Sequence, residues 1–135
     1  MTRLALDTSA AVPLLLRRHP AHELVRAAVQ HASICMTGHS QVETYSVLTR
    51  LPGDARVDAH HAVRLLSTGF DAPLLLDPAV FGDLLPMLAE HEIAGGAVYD
   101  AIVGLATVGT GVVLLTRDRR AATTYAALGV EFRFA

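Results

Sequence analysis

Asp100 is the acid whose setting most needs a chemical explanation. It lies within Gly95-Gly96-Ala97-Val98-Tyr99-Asp100-Ala101, and positions 96, 97, 103 and 104 on the same helical face offer no cation to pair with it. A carboxylate in apolar surroundings is costly unless it is neutralised, paired with a distant cation or bound to metal. Asp7 directly follows the apolar run Arg3–Leu6, and Asp118 lies two residues beyond Thr116 at the end of another. Each could simply cap the helix that follows it. Together they place two carboxylates at the carboxyl ends of strands, where ligands bind in α/β sheets. Glu43 is open to a second reading, because Ser40-Gln41-Val42-Glu43 matches a capping box in which Glu43 returns a bond to the backbone of Ser40. His39, just before it, reads as a solvated loop residue.

If these four acids meet, their chemistry is narrow. All-oxygen ligation suits Mg²⁺ or Mn²⁺. Such ions activate water, hold a phosphodiester and stabilise the departing oxygen, so phosphodiester hydrolysis is the natural reaction class. Spacing alone does not bring positions 7, 43, 100 and 118 together.

The elements that must position them read as an alternation of strand and helix. Strands are expected at Arg3–Leu6, Ile34–Thr37, Leu74–Leu76, Val112–Thr116 and Glu131–Phe134. Helices are expected over Ser9–Arg18, with Pro13 in or near the first turn, and over 20–31, 40–51, 56–67, 79–90, 95–108 and 119–128. This pattern argues for one α/β domain over residues 1–135, with a mostly parallel sheet and helices on both faces.

Composition removes several alternatives. The net charge is −2, and the eleven cations are all Arg. Without Lys, a P-loop, a Schiff-base enzyme and a receiver-type phosphoacceptor site all fail. An aspartyl-phosphate phosphatase built on Asp7 would want a second Asp where Ser9 stands, and a Lys besides. The single cysteine, Cys35, excludes a disulfide framework or thiolate metal cage and reads as a small buried hydrophobe. The stretch Ile93–Leu115 carries one charge, Asp100, but its glycines divide it into turn, helix and strand rather than a membrane span. The opening MTRLALDTSA has no secretory apolar run, which suggests a cytoplasmic setting. With 52% hydrophobic residues, some apolar surface is expected to face a partner. There is no Trp, and among three Tyr and four Phe no base-stacking platform is evident.

Four segments together resemble the PIN-domain family, specifically its VapC-type toxins. They are Leu6-Asp7-Thr8-Ser9-Ala10; Glu43-Thr44-Tyr45-Ser46-Val47-Leu48-Thr49-Arg50-Leu51-Pro52; Gly95–Ala101; and Leu115-Thr116-Arg117-Asp118-Arg119-Arg120-Ala121 continuing to Tyr125 and Leu128-Gly129-Val130. The resemblance spans almost the whole chain and implies a PIN-like three-layer sandwich. It further implies a Mg²⁺- or Mn²⁺-dependent endoribonuclease, the toxin of a type II toxin–antitoxin pair. The implied partners are an RNA substrate, a VapB-like antitoxin whose tail blocks the site, and a second copy of the chain in a homodimer. On this resemblance Asp7 and Asp100 are the central metal ligands, and Glu43 and Asp118 complete the acidic pocket. Thr116, and to a lesser degree Thr8 and Ser9, would orient a ligand or water. Arg117, Arg119 and Arg120 beside Asp118 are candidates to meet RNA phosphates, as are Arg17, Arg18 and Arg50. The alternative is a PIN-like module that has lost catalysis and only grips RNA or a partner. Residues 53–90 carry little of the resemblance.

Overall fold

The computed structural model describes residues 2–135. Strands β1 (Thr2–Leu6), β2 (Ala32–Cys35), β3 (Val113–Thr116) and β4 (Phe132–Phe134) form one all-parallel sheet in the order β2-β1-β3-β4. Between and after them run α1 (Thr8–Leu15), α2 (His22–Ala28), α3 (Gly38–Thr49), α4 (Ala59–Thr68), α5 (Pro78–Gly82), α6 (Leu84–Glu90), α7 (Ala97–Leu105) and α8 (Arg119–Ala127).

The pleat of β1 explains the layers. Leu4 and Leu6 point to one side and pack with Ala10 and Ala11 of α1 and Val25 of α2. Ala5 points to the other side and packs with Val103 of α7 and Ala121 and Tyr125 of α8. The neighbouring segments divide the same way: Met36, just past β2, and Leu115 join the first cluster, Cys35 and Leu114 the second. A sheet apolar on both faces must be covered on both, which gives the three layers. Leu4, Leu6, Leu114 and Leu115 are at most 1% exposed, and each contributes roughly 2 kcal/mol by leaving water.

Several expected elements differ, each for a local reason. The strand expected at 74–76 is reduced to one bridge, Leu74 to Thr37, and Leu75 is 74% exposed. The helix expected over 79–90 is broken at Asp83, because Pro86 has no N–H for the carbonyl of Gly82. Pro13 lies inside α1, past its first turn, and α1 stops at Leu15 rather than reaching Arg18. α2 is likewise shorter than expected and begins at His22. The stretch 93–115 divides into α7 and β3, and no helix among the described residues is long and apolar enough to cross a membrane.

β1 lies between β2 and β3: the chain runs from β1 to β2 at one edge and then crosses back to β3 on the other side of β1. The carboxyl ends of β1 and β3 therefore border the crevice where such sheets bind ligands. Leu6 pairs with Leu115, and the backbone N–H of Asp7 donates to the Leu115 carbonyl at 3.2 Å. That register sets Asp7 beside Thr116 at the mouth of the crevice.

Candidate metal centre

Asp7, Glu43, Asp100 and Asp118 line one cavity of about 40 Å³. Each arrives on a different element. Asp7 ends β1, Glu43 is on α3, Asp100 is in the first turn of α7, and Asp118 leads from β3 into α8. No Arg or His lines this cavity. Its volume suits a cation with a water or two and excludes a buried organic cofactor.

Asp7 is 5% exposed and sits at the N-cap position of α1, yet its side chain makes no capping bond. Its carboxylate is held from two sides instead. The Ser9 hydroxyl donates to Oδ1 at 2.6 Å, and the Tyr125 phenol donates to Oδ2 at 2.9 Å. Burial pushes its pKa up, while the Ser9, Thr116 and Tyr125 hydroxyls oppose that shift. Burial and the Asp7 charge keep the Tyr125 phenol protonated, and hence a donor.

Ser9 is also tied down: its oxygen accepts the N–H of Arg117 at 2.8 Å and lies 3.3 Å from Thr116 Oγ1. Thr116 is fully buried outside the cavity lining, and its Oγ1 accepts the N–H of Asp118 at 3.1 Å. It therefore shapes the turn that carries Asp118, while its hydroxyl also favours the charged form of the Asp7 carboxylate. Thr8 and Ser9 do line the cavity. Asp118 is the N-cap of α8, its Oδ1 accepting from the N–H groups of Arg120 at 2.9 Å and Ala121 at 3.3 Å. Capping and facing the cavity are here compatible.

Glu43 does not belong to a capping box. The N-cap of α3 is Thr37, whose Oγ1 accepts the N–H of Ser40 at 3.2 Å, and Ser40 lies within the helix. Glu43 is thus freed from the helix start and faces the cavity. Its Oε2 lies 3.5 Å from His39 Nε2. His39 is a helical residue rather than a loop one, and its ring stacks on Tyr99 with centroids 5.5 Å apart and planes 11° from parallel.

The electrostatics of Asp100 report the convergence. Burial raises its pKa to about 6, reinforced by repulsion from Asp118, Asp7 and Glu43, in that order. The four acids line one cavity, but among the described residues no three His, Cys, Asp or Glu side chains stand close enough together to form a metal-binding group. The donors are all oxygen, with neither thiolate nor imidazole in the lining. The set fits a hard divalent cation such as Mg²⁺ or Mn²⁺, which would relieve the repulsion.

A pH dependence follows for the metal-free protein. A carboxyl whose folded pKa lies above its unfolded value of 3.8 stabilises the fold fully below that value, and the contribution is lost as pH rises through about 6. Asp100 is only partly buried, so solvent screening reduces the effect to on the order of 1 kcal/mol. Metal-free thermal melts are expected to show Tm falling between about pH 4 and 6.5, and Asp100→Asn is expected to flatten that fall. Identical pH profiles for the two proteins would refute the assignment.

The expected arginines fall into three groups. Arg17 and Arg18 are exposed past the far end of α1, and line neither this cavity nor the groove beside it. Arg117, Arg119 and Arg120 are exposed around the β3–α8 turn without lining the cavity, and the Arg119 guanidinium sits 5.0 Å from the centre of the Phe134 ring. Arg50 lies in a groove that shares Glu43 and Tyr99 with the cavity. Sequence alone does not mark Tyr125 as a site residue. Its hydrogen-bond partner is 118 positions away, and the available hint was a Tyr inside the last motif.

The PIN domain family matches residues 4–127. Ribonuclease VapC27 of Mycobacterium tuberculosis is 51% identical over 128 residues, covering 95% of this chain and 93% of that protein. Ribonuclease VapC40 of the same species is 42% identical over 130 residues, covering 95% and 96%. Among solved structures, VapBC2 of Rickettsia felis bound to a DNA fragment from its promoter aligns with a TM-score of 0.69 over 99% of both chains, at 9% identity. M. tuberculosis VapC20, a toxin that cleaves the sarcin–ricin loop, aligns with a TM-score of 0.67 over 89% of this chain and 93% of that one, at 19% identity.

Proposed function

Because the chain belongs to the PIN-domain family, in its VapC branch, we propose that it is a Mg²⁺- or Mn²⁺-dependent endoribonuclease, the toxin of a VapB–VapC-type pair. Ribonuclease activity follows the names of the relatives that align along nearly their full length. Metal dependence is supported by one observation above the others: four carboxylates line a cavity of about 40 Å³ that contains no basic side chain.

Asp7 and Asp100 would be the central ligands of such a cation, with Glu43 and Asp118 completing the acidic pocket. A cation held there would supply Lewis-acid polarisation of the phosphate and a more acidic water. This chain's own residues do the positioning. Ser9 and Tyr125 fix the plane of the Asp7 carboxylate and leave lone pairs on both oxygens. Thr116 and the capping bonds hold Asp118 at the turn. A VapB-like antitoxin covering this mouth would silence it. Exposed Leu75, Phe81 and Leu85 supply apolar surface for that partner or for a homodimer contact.

The experiment is incubation of antitoxin-free protein with cellular RNA and Mg²⁺ or Mn²⁺, with the new RNA ends mapped by sequencing. Discrete new ends are expected. Retention of RNA with no new ends under any divalent metal would overturn the enzyme reading in favour of a binding module.

Tyr125 gives a further expected outcome. Groups that orient a metal ligand typically contribute 10–100-fold to affinity. Tyr125→Phe keeps the packing against Phe132 and removes the bond to Asp7. Mn²⁺ affinity by calorimetry is expected to fall about tenfold or more, and unchanged affinity would deny Tyr125 this role.

A further inference from the structure

The stacked His39–Tyr99 pair ties α3 to α7 at the edge of the acidic cavity, and Tyr99 belongs to both that cavity and the open groove beside it. The groove has a volume of about 410 Å³, within the range of small-ligand sites. Its lining includes the aliphatic side chains of Val42 and Val47 and one cation, Arg50, which forms no ion pair among the described residues. His39, Glu43 and Val47 recur at helical spacing along one face of α3, and Arg50 is its C-cap. Arg50 therefore lies about 10 Å along the axis from Glu43. An aromatic pair kept only for packing would be covered, yet Tyr99 is 55% exposed.

From this arrangement we infer that the His39–Tyr99 pair is a stacking platform for one nucleobase of a single-stranded RNA, next to the phosphodiester that a cation at the carboxylates would hold. Arg50 meets a phosphate further along the strand. The inference rests on the ribonuclease reading and names a substrate contact within it. It is a role for aromatic residues that composition alone does not suggest. The parallel rings present a π-face usable by any base, and Val42 and Val47 supply the apolar walls. Stacking of this kind is sequence-tolerant, so the platform holds a nucleotide in place without choosing it by hydrogen bonding. Arg50 is the one group in the groove with charge complementary to a phosphate, while Glu43 marks the end that joins the cavity.

The test uses the Asp100→Asn chain, which is expected to bind RNA without cutting it, and a ten-nucleotide single-stranded RNA carrying 2-aminopurine at its centre. Binding is expected to quench the probe. Adding Tyr99→Leu is expected to weaken affinity about tenfold or more and to abolish the quench, whereas adding Tyr99→Phe retains both. Adding Arg50→Gln is expected to reduce the salt dependence of binding by about one phosphate contact. Equal affinity and quench with Tyr99→Leu overturns the platform, as does failure of the Asp100→Asn chain to bind the RNA at low salt. If Tyr99→Leu spares RNA and weakens only antitoxin binding, the groove belongs to a protein and the inference falls. Cleavage by the wild-type chain with Mg²⁺ is measured in parallel. Cleavage without a Tyr99 effect removes the platform alone, and absence of cleavage removes the reading beneath it.

Discussion

Asp7→Asn is expected to lower RNA cleavage by at least about a thousandfold, equivalent to about 4 kcal/mol of transition-state stabilisation. The reason is positional. Asp7 is the most buried of the four acids, and the hydroxyls of Ser9 and Tyr125 hold both of its oxygens. Asparagine keeps its shape but loses the charge and turns one oxygen into a donor. The fold should survive, because burial already disfavours the charged form of Asp7. Asp7→Ala is the harsher change: it strands the buried Tyr125 phenol at a cost of about 1–3 kcal/mol. Cleavage rates alongside thermal melts separate the two effects. Substantial activity in a folded Asp7→Asn protein would remove Asp7 from the reaction.

Removal of divalent metal is the second large effect. EDTA is expected to abolish cleavage by the wild-type chain, and Mg²⁺ or Mn²⁺ to restore it. The same ions should raise Tm most at pH values above 6, where Asp100 is ionised and repelled by Asp118, Asp7 and Glu43. The two readouts are linked, since one cation would both relieve the repulsion and support the chemistry. Cleavage at full rate in EDTA would contradict metal dependence outright.

The route from sequence to site was uneven, for physical reasons. Asp100 was legible because a carboxylate without a cation within one turn, inside an apolar helix, has few inexpensive explanations. Asp7 and Asp118 were legible because the ends of parallel strands are where such sheets gather ligands, and the register of Leu6 with Leu115 brings them to one mouth. Glu43 was ambiguous because a capping box is defined by local spacing, whereas the true helix start depends on a distant contact. Leu74 accepts the N–H of Gly38 and bridges Thr37, and that moves the cap to Thr37. Tyr125 and the His39–Tyr99 stack were hidden because each joins elements far apart in the chain. Gly104 is part of the same story: a Cβ there would stand 3.0 Å from the Tyr125 ring and 2.9 Å from Val130, so the small residue lets α8 approach α7 and Tyr125 reach Asp7. The break at Pro86 was legible in principle, since a missing N–H at that position ends the hydrogen-bond ladder whatever the apolar pattern suggests.

The meeting of four carboxylates around one divalent ion is tested most directly by titrating Mn²⁺ into the purified, metal-free chain and into its Asp7→Asn and Asp100→Asn variants, by calorimetry at pH 7.5. Saturable binding by the wild-type chain is expected, with a loss of at least about tenfold in affinity in each variant, both of which should melt as folded proteins. Saturable binding of equal affinity in all three, or none in the wild-type chain, would contradict it.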